Sequence, residues 1–347
     1  MFVSLDLAIS GAAAAPSPPP AKPDGQHDFD FALGTWKSHL RRLQKPLAGS
    51  TSWIEGDATV SVRKIWNGRG NLEEIDLVTP SGRLQGLTLR LYDAPARQWR
   101  VHWAKASDGV LTSPPSIGQF KDGRGELYDQ ETLNGKVILV RHIFSAVTPT
   151  SYHFEQAFSA DRGHTWEANW VADLTRTSAD PAAPTLSAEN RNHDFDFNLG
   201  EWDVAVKRLT DPLSGKSNWT NWKGTGHIAP VWSGLANIAE FELDGPTGHL
   251  QGVGLRIFNA EAKQWSISWA NGRDGVIGVP VVGEFKDGRG ELLDVEDFKG
   301  RQIYVRNLFT NITPDSAEFE QAFSEDGKSW EPNWLMTFKR KTIETKQ

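Results

Sequence analysis

The chain has 347 residues, of which 38% are hydrophobic and 23% charged, a composition typical of globular proteins. The formal net charge of −7 is spread along the chain without a basic block, so neither nucleic acid nor a membrane is expected as a partner. The absence of cysteine excludes disulfides, thiolate metal sites and cysteine nucleophiles.

The first segment, residues 1–26, differs in composition from the rest of the chain. It is mildly apolar up to Ala15 and then continues as Pro-Ser-Pro-Pro-Pro. This pattern is compatible with a degenerate secretory signal or with a disordered Ala/Pro-rich tail. Asp6 and the lack of a basic residue at the start argue against a signal. Cytoplasmic and periplasmic locations therefore both remain open.

An internal repeat dominates the remaining sequence. HDFDFALGTW at 27–36 recurs as HDFDFNLGEW at 193–202, an offset of 166 residues, and FKDGRGEL at 120–127 recurs at 285–292. The few length differences fall in turns, where duplicated domains tolerate them. We therefore divide the chain into the segment 1–26, repeat 1 (27–177), a linker (178–192), repeat 2 (193–341) and a tail (342–347).

Short strands are predicted throughout each repeat. Residues 87–91 (LTLRL) and 99–103 (WRVHW) alternate with the period of two that is typical of a half-buried strand. Asp-Gly turn signals separate such segments, and no segment has a helical period. About ten short strands per repeat predict an all-β fold of two tandem antiparallel β-barrels.

The GTW at 34–36 and the GEW at 200–202 resemble the Gly-x-Trp signature on the first strand of lipocalins and other calycins. In that superfamily a late-strand arginine packs over the tryptophan, and Arg176 and Arg340 occupy the corresponding places. The full pattern, HDFDFxLGxW followed by EQAFS, W..NW and a final Arg, is similar to an uncharacterised bacterial calycin-like family, here doubled. The resemblance covers nearly all of the chain from His27 to Arg340.

This resemblance implies that a small hydrophobic molecule is bound inside a barrel. Two-domain relatives in the superfamily include carotenoid hydratases and fungal Diels–Alder cyclases, so it also leaves open catalysis without a cofactor. Fold similarity alone does not decide between these functions.

Polar residues kept in both repeats are the candidates for chemistry. An arginine between apolar residues of a strand is costly unless it is paired, and a glutamate on the next strand is the expected partner. Such a pair can hold a ligand carboxylate or enolate and transfer protons, or it can only stabilise the wall. The catalytic candidates are Arg90, Arg141 and Glu155 in repeat 1 and Arg256, Arg306 and Glu320 in repeat 2.

Aromatic and amide side chains near these positions are the candidates for a cavity wall. The ligand-binding candidates are Trp103, Tyr152 and Gln156 in repeat 1 and Trp269, Tyr304 and Gln321 in repeat 2. His102 and His142 are matched by Ser268 and Asn307, so neither a metal nor another cofactor is expected. Analogy with haem-binding barrels leaves open haem ligation in one repeat, through His102 or His142.

Three functions follow from the sequence, and it does not decide among them. The first is binding of a small, mostly hydrophobic molecule in a barrel or between the barrels. The second is a cofactor-free isomerase, hydratase, lyase or cyclase, and the third is carbohydrate binding through exposed tryptophans. Because the repeats differ at positions such as Tyr152 and Ala317, we expect one domain to hold the main pocket and the other to support it, or the ligand to lie between them.

Overall fold

The structure is a computed structural model that describes residues 24–79, 82–189 and 191–342. The two interpretations of the N-terminal segment concern mainly residues 1–23, which lie outside the described part, as does most of the tail. The described chain forms two closed antiparallel barrels of ten strands each, in tandem, which confirms the predicted fold class. Within the described ranges, no helix has the length and apolar character needed to cross a membrane.

Barrel 1 is a closed antiparallel meander in which each strand pairs with the next and the last pairs with the first. Its strands are β1 (Gly34–Leu43), β2 (Trp53–Ile65), β3 (Gly70–Thr79), β4 (Gly82–Asp93), β5 (Gln98–Lys105), β6 (Ser116–Lys121), β7 (Arg124–Leu133), β8 (Lys136–Ser145), β9 (Ser151–Ser159) and β10 (Glu167–Ser178). Side chains alternate along each strand between the interior and the outer wall.

Barrel 2 repeats this order with the same pairing. Its strands are β11 (Gly200–Leu209), β12 (Trp219–Val231), β13 (Ala236–Gly245), β14 (Gly248–Asn259), β15 (Gln264–Asn271), β16 (Val281–Lys286), β17 (Arg289–Phe298), β18 (Arg301–Thr310), β19 (Ser316–Ser324) and β20 (Glu331–Arg340). Short 3₁₀ helices precede β1 and β11, at Asp30–Ala32 and Asp196–Asn198.

One end of barrel 1 is closed by the segment before β1. Phe29 is fully buried there, and its ring meets those of Trp99 and Phe144 edge-on at centroid distances of 5.0 Å. The Arg176 guanidinium lies 4.1 Å from the centroid of the Trp36 ring and donates to the carbonyls of Phe31 and Leu33. The arginine therefore stacks on the Gly-x-Trp tryptophan, as the resemblance to lipocalins implies.

Barrel 2 is closed in the same way. Phe195 takes the place of Phe29, and the Arg340 guanidinium lies 4.2 Å from the centroid of the Trp202 ring. The motifs that recur most strongly in the sequence therefore build the closed ends of the barrels.

The outer walls of the two barrels meet in an apolar interface, which we call the seam. It includes Leu87, Leu89 and Leu91 of β4 and Val253, Leu255 and Ile257 of β14, each of them at most 2% exposed. These outward positions carry aliphatic residues because each wall covers the other. The two barrels thus share a hydrophobic cluster in addition to their separate interiors.

Hydrogen bonds cross the seam reciprocally, as expected for two related domains that meet through the same surface. The Trp66 N–H donates to Glu240 Oε2 at 2.8 Å, and the Trp232 N–H donates to Glu74 Oε2 at 2.7 Å. Trp66 and Trp232 are twins in the repeat, as are Glu74 and Glu240. The seam therefore has a pseudo-twofold arrangement.

Candidate functional site

A cavity of about 960 Å³ lies inside barrel 1 and is lined by residues of that barrel. It extends from Arg90 and Phe144, near the closed end, to Asp108 and Val110 in the loop between β5 and β6. Val110 is 59% exposed, so the cavity reaches solvent at the end opposite Trp36.

Most of the cavity wall is apolar, because inward positions of successive strands carry aliphatic and aromatic residues. The Trp103 ring packs edge-on against the Trp170 ring at a centroid distance of 6.0 Å. A Cβ at Gly86 would lie 2.1 Å from the Trp103 ring, so only glycine fits beneath this tryptophan. The pair of Gly86 and Trp103 recurs as Gly252 and Trp269, with the same 2.1 Å distance.

A compensated ion pair lies in the deep part of the cavity. Arg90 Nη2 donates to Glu73 Oε2 at 2.6 Å, and Nη1 donates to Asn71 Oδ1 at 2.9 Å. Thr88 Oγ1 donates to the other oxygen of Glu73, Oε1, at 2.9 Å. All four residues are buried. Because Glu73 and Asn71 already accept from Arg90, this arginine is held within the wall and its charge is balanced there.

A second polar group follows the wall between β6 and β10. Ser116 Oγ contacts Asp129 Oδ2 and lies 3.1 Å from His142 Nδ1. His142 Nε2 lies 3.1 Å from Gln156 Oε1, and Gln156 Nε2 donates to Asn169 Oδ1 at 2.9 Å. These contacts link five residues into one continuous chain, in the order Asp129, Ser116, His142, Gln156 and Asn169, which we call the polar chain.

The polar chain can hold and pass a proton. Burial raises the pKa of Asp129 and lowers the pKa of His142, so the low-dielectric wall favours the uncharged form of each group. With Ser116 between them, one proton can be shared as protonated Asp129 with neutral His142, or as carboxylate with imidazolium. The two arrangements interconvert when the Asp129 carboxyl proton moves to Ser116 Oγ while the Ser116 hydroxyl proton moves to His142 Nδ1. The pair is net neutral in both arrangements.

Barrel 2 lacks the main parts of this site. Val281 stands at the position of Ser116, Asn307 at that of His142 and Ala239 at that of Glu73. The Asn307 Oδ1 atom is buried and has no hydrogen-bonding partner in the described part of the chain, so the polar chain is not reproduced.

Larger side chains occupy the interior of barrel 2 instead. Phe241 replaces Ile75, Met336 replaces Ala172 and Phe338 replaces Leu174. All three of these residues are at most 5% exposed and belong to the same buried cluster. The Phe241 and Phe338 rings lie 6.1 Å apart between centroids. The two repeats have therefore diverged into a barrel with a wide cavity and a barrel filled with aromatic side chains at the corresponding positions.

The structure brings one part of the predicted site together. Arg90, Trp103, Tyr152 and Gln156 all line the cavity of barrel 1. Arg256 is the buried twin of Arg90 in barrel 2, with 4% exposure.

Other predicted residues lie on the outer wall. Arg141 Nη2 is 3.6 Å from Glu155 Oε1, and the Arg141 guanidinium lies 4.6 Å from the centroid of the Trp166 ring. In barrel 2, Arg306 Nη2 is 3.2 Å from Glu320 Oε1. Each arginine thus has the expected glutamate within reach, but neither Arg141 nor Glu155 lines the cavity, because the neighbouring residues His142 and Gln156 are the ones that point inward.

The remaining predicted residues are dispersed. Trp269 and Tyr304 are 38% and 44% exposed, and Gln321 is half-buried. His102 points away from the cavity, since its neighbours Val101 and Trp103 line it, and its Nδ1 lies 3.0 Å from the Thr112 carbonyl oxygen. Sequence reasoning missed Glu73, Ser116 and Asp129, and it considered His142 as a haem ligand and as a position that differs between the repeats. Most of these site residues can be recognised in the sequence because they differ between the two repeats. Ser116, His142 and Glu73 are each replaced by another residue in barrel 2.

The described residues contain no group of three or more His, Asp or Glu side chains arranged to hold a metal ion. His142 is held on both ring nitrogens by Ser116 and Gln156, an arrangement that does not suit a haem ligand.

No family model matches the sequence, and no curated protein matches it either. Among solved structures, the chain is similar to a protein of unknown function of the DUF3598 family from Nostoc punctiforme, with 11% identity, coverage of 91% of this chain and 99% of that one, and a TM-score of 0.25. It is also similar to a mutant of transferrin-binding protein B from Haemophilus parasuis, with 7% identity, coverage of 89% and 76%, and a TM-score of 0.19. Similarities of this strength carry no argument about function.

Proposed function

We propose that barrel 1 binds a small, uncharged and mostly apolar molecule in its cavity. The observation that carries the proposal is the cavity itself, which has a volume of about 960 Å³ and a mostly apolar lining surface, although about half of the lining residues are polar. Ligand sites in proteins typically enclose about 300–1,000 Å³ and combine apolar walls with a few fixed polar groups. The cavity of barrel 1 has both features.

The charges around the cavity indicate an uncharged ligand. Of the charged groups that line the cavity, Arg90 is paired with Glu73, and Lys105 Nζ lies 2.9 Å from Asp108 Oδ2 at the open end. Burial raises the pKa of Asp129, which disfavours its carboxylate form, and the other two charged lining residues, Arg42 and Glu131, are exposed to solvent. A charged ligand would therefore lose hydration without gaining an unpaired partner in the buried part of the cavity.

The other locations and functions have less support. The seam is closely packed with aliphatic side chains, which favours the barrel interior over a ligand between the barrels. Of the tryptophans, Trp219 and Trp269 are exposed, at 36% and 38%, and two such residues in barrel 2 do not make the row that a carbohydrate module needs.

We further propose that the two barrels belong to the calycin-like superfamily. The support is the Gly-x-Trp motif at the start of β1 and β11 together with the arginine stacked on each tryptophan. This assignment agrees with a ligand inside a barrel, which is the usual place in that superfamily.

The test uses 1-methylpyrene, an uncharged apolar fluorophore, as the probe. Binding is measured by energy transfer from tryptophan and by the polarity-sensitive vibronic bands of pyrene. The double variant Ile75→Phe/Leu174→Phe introduces into barrel 1 the residues found in barrel 2, so it should fill the cavity and abolish binding. The reverse variant in barrel 2, Phe241→Ile, is the matched control and should leave probe binding in barrel 1 unchanged.

The outcome distinguishes the possible locations. Loss of binding only in the barrel 1 variant, with circular dichroism and melting temperature retained, supports the proposal. Equal binding by the wild type and the filled variant would place the probe elsewhere and contradict it.

The polar chain favours a second candidate function, proton transfer to and from a carbon atom of the bound molecule. A shared proton beside an apolar cavity is the arrangement that acid–base catalysis needs. The molecule that copurifies with the protein, identified by native mass spectrometry, would be incubated with the protein in D₂O. We expect the wild type to catalyse deuterium incorporation at carbon, and His142→Asn, the barrel 2 residue, to lose this exchange while it still binds. Equal exchange by both proteins would contradict catalysis.

A further inference from the structure

Arg256 in barrel 2 is a buried cation without a carboxylate partner. It is 4% exposed, and among the described residues no Asp or Glu oxygen lies within ion-pair distance of it. Its twin Arg90 is equally buried but has Glu73 at 2.6 Å. The two barrels therefore treat the same inward arginine in opposite ways.

The contacts of Arg256 are neutral. Nη1 donates to Asn198 Oδ1 at 2.8 Å and to Asn237 Oδ1 at 3.3 Å, whereas Nε has no partner among the described residues. The guanidinium lies 4.6 Å from the centroid of the Phe195 ring and 5.7 Å from that of Phe309. Burial without a counter-charge lowers the pKa of Arg256 to about 9. Amide oxygens and aromatic faces reduce the cost of a buried cation, but they do not neutralise it.

At two positions barrel 2 lacks the side-chain oxygens that surround Arg90 in barrel 1. Ala239 replaces Glu73, and Gly254 replaces Thr88, whose hydroxyl donates to Glu73. A Cβ at Gly254 would meet its nearest neighbour, the Trp269 ring, at 3.5 Å, an ordinary contact distance. Barrel 2 thus keeps the cation and has lost the carboxylate together with the hydroxyl that fixes it.

We propose that barrel 2 binds a small carboxylate anion, of the size of formate or acetate, at Arg256. The carboxylate takes the role that Glu73 has in barrel 1 and accepts hydrogen bonds from the free side of the guanidinium. A planar carboxylate matches the planar guanidinium with two parallel hydrogen bonds, which favours it over a spherical ion such as chloride. The Phe195 and Phe309 rings beside the guanidinium restrict the site to a small anion.

The experiment measures the melting temperature in sodium formate and in sodium chloride at the same ionic strength. Because a ligand that binds only the folded state stabilises it, formate should raise the melting temperature by about 2–4 °C more than chloride. Titration of ¹³C-labelled formate, followed by the line width of its carbon resonance, reports binding directly.

The key variant is Ala239→Glu, which supplies an internal carboxylate and is the residue of barrel 1. In chloride it should melt at a higher temperature than the wild type. Formate should neither raise its melting temperature further nor show a broadened ¹³C resonance in its presence. A second variant, Glu73→Ala, leaves Arg90 of barrel 1 without its carboxylate partner and should add formate dependence.

Two results would overturn the proposal. One is an equal formate effect in the wild type and in Ala239→Glu, and the other is the absence of any formate-specific effect in the wild type. Binding of 1-methylpyrene is measured on the same samples, so the outcome for the cavity of barrel 1 is obtained separately.

Discussion

The seam contains two corresponding tryptophans, and only one of them makes a side-chain hydrogen bond across the seam. Comparing them therefore measures what that hydrogen bond contributes to the free energy of unfolding. Trp66 and Trp232 are twins with the same backbone conformation, φ 50° in both, and are 1% and 3% exposed. Trp232 Nε1 donates across the seam to the Gly86 carbonyl at 2.9 Å, whereas Trp66 Nε1 has no partner among the described residues. The perturbation is Trp→Phe at each position in turn.

Both substitutions remove the same ring volume, so that loss cancels when the two variants are compared. Trp232→Phe also removes a buried hydrogen bond, worth about 0.5–1.5 kcal/mol. Trp66→Phe removes a buried N–H donor that has no partner among the described residues. Because such a donor destabilises the folded state by about 1–3 kcal/mol, its removal offsets part of the loss of ring volume. We therefore expect Trp232→Phe to be the less stable of the two by at least about 1.5 kcal/mol.

The assay is equilibrium urea unfolding followed by far-ultraviolet circular dichroism, with the wild type and both variants fitted with a common slope. A lower unfolding free energy for Trp232→Phe than for Trp66→Phe is the expected order. Equal values, or the reverse order, would refute the reasoning, because they would mean that the cross-seam bond contributes nothing beyond the volume of the ring.

Three further predictions concern the seam, the buried His102 and the half-buried Asp294. A fragment of residues 24–180 should form a dimer through the exposed seam, measured by light scattering, and a stable monomer would contradict the shared cluster. Burial lowers the pKa of His102, so stability should be lost as the pH falls below about 6.5; His102→Ser, the barrel 2 residue, should reduce the difference in melting temperature between about pH 7.5 and pH 5.5, and an unchanged difference would refute this. Burial raises the pKa of Asp294 to about 7, so the folded state keeps a proton that the unfolded chain releases near pH 4, and stability should fall as the pH rises between these values. The melting temperature of Asp294→Asn minus that of the wild type should therefore increase from about pH 4 to about pH 8. A difference that is the same at both pH values would contradict the assignment.

The candidate site shows where comparison of the two repeats helps and where it misleads. Residues kept in both copies, such as Trp36 and Arg176 with their twins, build the closed ends, and Arg141 and Glu155 pair on the outer wall. Residues that differ, such as Ser116 and His142, form the polar chain. Residues that are identical in the two repeats are those that both barrels need in order to close. Residues of a site that only one barrel has differ between the repeats.

The alternation of strands explains part of what sequence reasoning missed. Arg141 and His142 are neighbours in β8, and only one of them can point inward. The apolar neighbours of Arg141 suggested an inward face, but outward positions of this chain are apolar as well. The same pattern holds in β4, where Thr88 and Arg90 face the cavity and Leu87, Leu89 and Leu91 face the seam.

The sequence by itself determined the duplication, the all-β class and the ten strands of each barrel. It could do so because the repeat is explicit, and because period-two alternation and turn residues act locally. The resemblance to the Gly-x-Trp pattern of lipocalins, which the sequence also shows, implied that Arg176 and Arg340 lie over their tryptophans, and they do.

Only the tertiary structure decided which face of each strand is interior, that the barrels share a seam, and that the wide cavity lies in barrel 1. These features depend on contacts between residues far apart in the chain, such as Trp66 with Glu240. They also depend on the summed volumes of inward side chains, since Phe241 and Phe338 fill in one barrel the space that Ile75 and Leu174 border in the other. Packing volume is a property of the closed barrel, so no single segment of the sequence specifies it.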